Sequence, residues 1–175
     1  MPKDDNIKLS KDEEKILEEL IKDSRQTPHE IAQKLGFSRQ KVWRAINRLE
    51  KNNTIWGYTT VVNQIRRGYN YYFALCKAKA PIFDTIDQLI NTIKEKKADK
   101  LNVRFLGQYY LHGTYDLLIV FLAKDISDAK KFCGYIQKEY VDYIGHVELL
   151  ESVFTLVRYG KINPNLEKFK EFAIY

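Results

Sequence analysis

The 175-residue chain has little of what builds metal, redox or disulfide chemistry. It holds two cysteines, Cys76 in a strand-like run and Cys133 in a helix-like run, without metal-ligand spacing. That excludes a disulfide scaffold and leaves two reduced, mostly buried thiols of a cytoplasmic protein as the expectation. The three histidines, His29, His112 and His146, are too scattered to form a ligand cluster. Long apolar runs are also missing. The longest, Leu117–Ala123, spans seven residues, which suits a buried strand and is far too short to cross a membrane. The chain opens on charged residues without the pattern of a signal peptide. No phosphate loop, catalytic triad or metal motif is present, and Asp84, Asp87, Asp99 and Asp116 lack the spacing of a paired acid and base. The expectation is therefore no metal, no cofactor and no enzyme.

What is present is a basic chain with a core. A hydrophobic share of 45% supports one large domain or two small ones. The net charge of +6 and a pI near 9.1 fit a polyanionic partner. Lysine outnumbers arginine, tyrosine is abundant and Met1 is the one methionine, a slant shared by thermophilic and AT-rich sources.

The most informative segment is 27–52, TPHEIAQKLGFSRQKVWRAINRLEKN. Thr27 is placed as an N-cap, Pro28 as the first helical residue and Glu30 as the third, which completes a capping box. Ile31, Ala32 and Leu35 share a face, Gly36 ends the helix in a left-handed conformation, Phe37 packs inward and Ser38 caps the next helix. Upstream, Ser10 with Glu13 forms a similar box ahead of Ile16, Leu17, Leu20 and Ile21 at helical spacing. Three capped helices within about fifty residues make a small trihelical domain. On the third helix Val42, Ala45, Ile46 and Leu49 form one stripe. Gln40, Arg44, Asn47 and Lys51 lie opposite, flanked by Arg39, Lys41, Trp43 and Arg48.

That is the pattern of a helix-turn-helix whose second helix enters the major groove. Arg can fork onto guanine, and Gln or Asn onto adenine. Lys and the flanking Arg side chains suit phosphates, which set affinity and register. Trp43 is expected at the helix flank or near the sugar-phosphate backbone rather than on a base. Any solvated helix carries some Lys and Arg. Here, however, segment 25–51 holds seven basic against two acidic residues, nearly the whole excess of the chain. The DNA-facing set is Ser38, Arg39, Gln40, Lys41, Arg44, Asn47 and Arg48.

Beyond Lys51 the pattern changes. Asn52 and Asn53 accept a left-handed conformation, and Ile55 to Val62 reads as a strand. Residues 64–68 form a polar, basic hinge. Strands are then expected over Tyr71–Ala80, Val103–His112, Tyr115–Ala123 and Val147–Tyr159. Helices are expected over Pro81–Lys97 and Ser127–Tyr140, the latter with Ala129, Phe132, Cys133 and Ile136 inward. A tight turn at Gly113 with positive φ joins the middle strands. The order βαββαβ gives a ferredoxin-like sandwich. Asp116, just after that turn, either caps the turn's own N–H groups, the favoured reading, or faces a ligand amine.

The two halves together resemble the Lrp/AsnC family of feast/famine transcription regulators. The resemblance covers roughly residues 9–160. It rests on LSKDEEKILEEL, on LGFSRQKVWRAINRLEKNNTIWGYTTVVN, and on HGTYDLLIVFLA with its Gly-x-Tyr-Asp turn. It implies an α+β chain with four parts: a winged helix-turn-helix (1–62), a hinge (63–68), a ferredoxin-like effector-binding and oligomerisation domain (69–160) and a C-terminal extension (161–175). It further implies a homodimer formed through the sandwich sheets, higher oligomers, pseudo-palindromic double-stranded DNA as partner, and an amino acid or similar small molecule near Gly113, Thr114, Tyr115 and Asp116. Gln40, Lys41, Arg44 and Asn47 take the positions of the DNA readers. Ala45 stands where the family usually has Arg, and Asn53 where it has Gly. In the extension, Leu166, Phe169 and Phe172 recur every third residue, as in a short helix laid on the sandwich or a neighbour.

Two other functions are weighed. A DNA compactor with little sequence preference would use the same basic surface and oligomerising sandwich. Siroheme decarboxylases share the architecture, but the run NVRFLGQYYLHGTYDLLIVFLA lacks both their His-Asn-Tyr stretch and their tryptophan.

Overall fold

The computed structural model describes residues 8–79, 90–91 and 101–172. Three helices come first: α1 (Lys11–Lys22), α2 (Pro28–Leu35) and α3 (Arg39–Lys51). Each starts where a side chain satisfies the otherwise unpaired N–H groups of the first turn. Ser10 accepts from the Glu13 N–H, and the Glu13 carboxylate accepts the Ser10 N–H at 2.9 Å. Thr27 and Glu30 repeat the exchange, with 2.7 Å from the Thr27 N–H to Glu30. Gly36, at φ 67°, ends α2, and Ser38 caps α3 by accepting the Lys41 N–H at 3.2 Å. The three helices enclose Ile16, Leu20, Ile31, Ala32 and Val42, with Leu35, Phe37, Ala45, Ile46 and Ile55 at the margin. Ile21, expected on the core stripe, is 59% exposed. It sits roughly 140° around α1 from Ile16, off the buried face.

After α3 the backbone reverses at Asn53 (φ 59°), and the Ile55 N–H donates to the Leu49 carbonyl at 3.0 Å. The strand expected over Ile55–Val62 does not form: residues 55–63 are irregular. β-branched and aromatic residues make a strand only when a neighbour takes their backbone donors and acceptors, and no described segment pairs with them. The Tyr58 hydroxyl instead donates to Glu50 at 2.9 Å, and burial, then that carboxylate, pushes the phenol up to about 12.

The chain divides into two units between Thr60 and Val61. The second unit holds β1 (Asn70–Ala78), β2 (Arg104–Tyr110), β3 (Leu117–Ala123), α4 (Ile126–Glu139) and β4 (Ile144–Glu151). The strands form one antiparallel sheet in the order β2-β3-β1-β4, the ferredoxin-like arrangement. The helix expected over Pro81–Lys97 lies outside the described residues apart from Ile90 and Asn91, which are helical. Asp125 caps α4 by accepting the Asp128 N–H at 2.9 Å. Ala129, Phe132, Cys133 and Ile136 turn inward onto Tyr72, Ala74, Cys76, Ile119 and Phe121. Phe121 centres the core, its ring 4.7 Å from Phe132 and 5.7 Å from Tyr72. Both cysteines are free and buried. Burial pushes the Cys76 thiol to about 12 and the Cys133 thiol to about 11.

Two sequence expectations need correction here. Gly113 does not take a positive φ, and a Cβ there would meet open space. β2 and β3 are joined by the wider loop 111–116, which has no need of a left-handed residue. The last strand stops at Glu151, opposite Tyr72 near the start of β1. The chain beyond makes its own small hairpin, Val157–Arg158 against Lys161–Ile162. Tyr159 (φ 46°) and Gly160 (φ 70°) form its two-residue turn. The extension then winds as a 3-10 helix, Leu166–Glu171. Its three-residue apolar spacing matches the three residues per turn of that helix. Phe169 and Phe172 pack on Phe154, at 5.6 and 5.4 Å between ring centres.

Candidate nucleic-acid interface

α3 lies with Val42 and Leu49 fully buried and its opposite side in solvent. Of the expected DNA-facing residues, Ser38, Arg39, Gln40, Lys41, Arg44 and Arg48 are exposed and Asn47 is half-buried. Gln40, Arg44, Asn47 and Lys51 follow one another along a single strip, because seven residues nearly complete two turns. Asn47, Arg48, Lys51 and Asn52 line a shallow open depression at its C-terminal end.

The basic side chains differ in how they are held. Lys41 pairs with Asp12 of α1 at 2.6 Å and sits 4.0 Å from the centre of the Phe37 ring. The hydrogen bond from Lys41 holds the Asp12 carboxyl below its usual range. Arg48 reaches the buried Glu13 at 3.3 Å. The Ser10 N–H, against the effect of burial and helped by Arg48, keeps Glu13 low as well. These two ion pairs tie α3 to α1 and fix the pitch of the outer strip. The sequence reading missed both acids, since nothing local links Asp12 to Lys41 across twenty-nine positions.

The second set of expected site residues gathers at one end of the sheet. Gly113 and Thr114 are exposed at the tip of loop 111–116, while Tyr115 and Asp116 are half-buried. Asp116 does not cap its own turn. Its carboxylate accepts the Ala78 N–H of β1 at 2.9 Å and pairs with Lys77 at 3.2 Å. Its backbone N–H donates to the Cys76 carbonyl at 3.0 Å. The Ala78 N–H and Lys77 hold the Asp116 carboxyl below its usual range despite partial burial. The Tyr115 hydroxyl donates to Glu148 of β4, which raises the phenol. Lys77 and Glu148 are additions to the sequence-derived set, brought in by strand pairing alone. Among the described residues no group of three or more His, Cys, Asp or Glu could hold a metal ion, and no helix is long and apolar enough to cross a membrane.

A winged helix-turn-helix DNA-binding family matches residues 13–55, the span of these helices. An uncharacterized HTH-type transcriptional regulator of Pyrococcus horikoshii, PH1055, is 36% identical over 128 residues, covering 71% of this chain and 74% of that protein. An AsnC family transcriptional regulator from Agrobacterium tumefaciens superposes with a TM-score of 0.68 at 17% identity, covering 89% of this chain and 97% of that one. The transcriptional regulator NMB0573 from Neisseria meningitidis, solved as an L-Met complex, gives 0.67 at 16% identity, covering 90% and 98%. At these identities the two structures show a shared fold.

Proposed function

The chain belongs to the HTH-type transcriptional regulators, and on that premise we propose that it is a sequence-specific, effector-modulated regulator of the Lrp/AsnC type, acting in the cytoplasm as a homodimer or higher oligomer. The observation that carries this reading is the outer strip of α3, with Gln40 and Arg44 exposed and Asn47 beside them on a helix pinned at both ends. In this reading Gln40, Arg44 and Asn47 meet base edges. Arg39, Lys41 and Arg48 meet phosphates, and Ser38 gives its hydroxyl proton to a phosphate while its oxygen still caps the helix. Residues 1–62 bind DNA, 63–68 act as the hinge and 69–160 dimerise and receive the effector.

Dimerisation is supported by the sheet face opposite α4. Alternation places Phe73, Leu75, Leu118 and Val120 there, all half-buried, with Leu150 and Tyr109 exposed at the sides. An antiparallel sheet with one solvated face shows polar residues on it, and the middle of this face is apolar. A second copy that covers it satisfies the pattern.

The proposed effector is a small zwitterion such as an amino acid at Gly113–Asp116, by analogy with the L-Met complex of the Neisseria regulator. The exposed loop backbone offers N–H groups to a carboxylate. Asp116 offers charge to an ammonium group, although it already serves Ala78 and Lys77. A thermal-shift panel of amino acids tests this. At ligand concentrations about a hundredfold above Kd, binding adds roughly 2.7 kcal/mol, a Tm rise of several degrees for a chain of this size. The shift is expected in the wild type and lost in Asp116→Ala. Equal shifts in both proteins would remove Asp116 from the ligand site, and no shift with any amino acid would remove this ligand class.

A further inference from the structure

Trp43 stands apart from every other side chain on the outer half of α3. It is 56% exposed, a large indole beside the Gln, Arg, Asn and Lys side chains of the outer strip. The flank packing expected for it from sequence is only partial. α1 and α2 pack on the side of Val42 and Leu49, and Trp43 lies roughly 60° around the helix from Gln40 and roughly 40° from Asn47. It is the fifth residue of α3, in the N-terminal half that reaches base edges when such a helix enters the groove. Exposing this much indole to water is unfavourable, and the side chain contributes nothing to the small core beneath it.

We infer that Trp43 is a specificity-determining residue: it packs on the C5-methyl group of a thymine in the major groove, beside the base edges met by Gln40 and Asn47. The inference rests on the DNA-reading assignment of α3 and goes one step beyond it. The chemistry is selective. Among the four bases only thymine presents a methyl group on the major-groove edge, and apolar side chains recognise it there. Gln40 and Asn47 suit adenine, so an A·T pair next to the thymine fits the same strip. Lys41 is tied to Asp12 and Arg48 to Glu13, and Trp43 is the exposed apolar side chain beside the strip of Gln40, Arg44, Asn47 and Lys51.

The test begins with a duplex enriched from a random-sequence pool by the full chain. Each thymine of that duplex is then replaced in turn by deoxyuridine, which removes only the methyl group. For the wild type, one thymine in each half-site is expected to lose about fourfold in affinity, the worth of one buried methyl group. For Trp43→Ala the same replacement should change affinity less than twofold, and the ratio of selected to random binding should fall. Trp43→Phe keeps an apolar ring and should retain part of the thymine dependence, which guards against a folding defect. In a Trp56→Phe background, where Trp43 is the one remaining tryptophan, indole emission should change on binding the selected duplex. Indifference of the wild type to every deoxyuridine overturns the inference. So does a Trp43→Ala loss that is equal on selected and random duplex, which would make Trp43 a sugar-phosphate contact. A pool that yields no enriched sequence overturns the specific-reader assignment itself, and this inference with it.

Discussion

Arg44→Ala is expected to weaken binding to the selected duplex by about 1–3 kcal/mol, roughly 5-fold to 150-fold, while binding to random duplex changes little. Arg44 is the exposed arginine at the centre of the α3 strip, and neither Asp12 nor Glu13 engages it. Its fork therefore remains available for the O6 and N7 of guanine. Replacing an arginine that only touched phosphate would lower both affinities together and flatten the salt slope by about one unit. Competition binding with selected and random duplex at two salt concentrations separates these cases. A loss of the same size on both duplexes would move Arg44 from the reading set to the phosphate set.

Phe121→Ala is expected to destabilise the sheet unit by about 3–5 kcal/mol. Phe121 is fully buried and contacts the Tyr72 and Phe132 rings, so its removal opens a cavity that strands β1 and β3 cannot close by small shifts. Against a total stability of about 5–15 kcal/mol, that is a large fraction. The core of the helical unit, built on Ile16, Ile31 and Val42, shares no residue with it. Urea unfolding followed by near-ultraviolet circular dichroism should show an earlier transition for the sheet unit. A change below about 1 kcal/mol would mean that the Phe121 site repacks.

The local features of the fold were legible in the sequence because their signals lie within four residues of one another. Ser10 with Glu13, Thr27 with Glu30 and the turn at Gly36 set the three helices, and the stripe from Val42 to Leu49 set which way α3 faces. The βαββαβ order was enough to fix the sheet as β2-β3-β1-β4. Three of the misreadings share one physical cause, a dependence on partners far along the chain. Residues 55–62 have strand composition but no described neighbour to pair with. The strand ending at Glu151 stops opposite Tyr72, near the start of β1. Asp116 reaches Ala78 and Lys77 across the sheet rather than its own turn. Likewise the DNA-facing strip was readable from helical period, whereas the ties of Lys41 to Asp12 and Arg48 to Glu13 were not. The two-residue turn at Tyr159 and Gly160 did have a local signal, a glycine between short apolar runs, which the longer expected strand concealed.

The most direct measurement is a salt-dependent titration of the full chain against the selected duplex and against a random duplex of equal length. A sequence-specific regulator should hold the selected duplex about a thousandfold or more tighter. That ratio should widen as rising salt strips the phosphate-driven binding from the random duplex. A ratio near one at every salt concentration, with both curves falling equally steeply, would contradict specific reading by α3 and leave a protein that compacts DNA without regard to sequence.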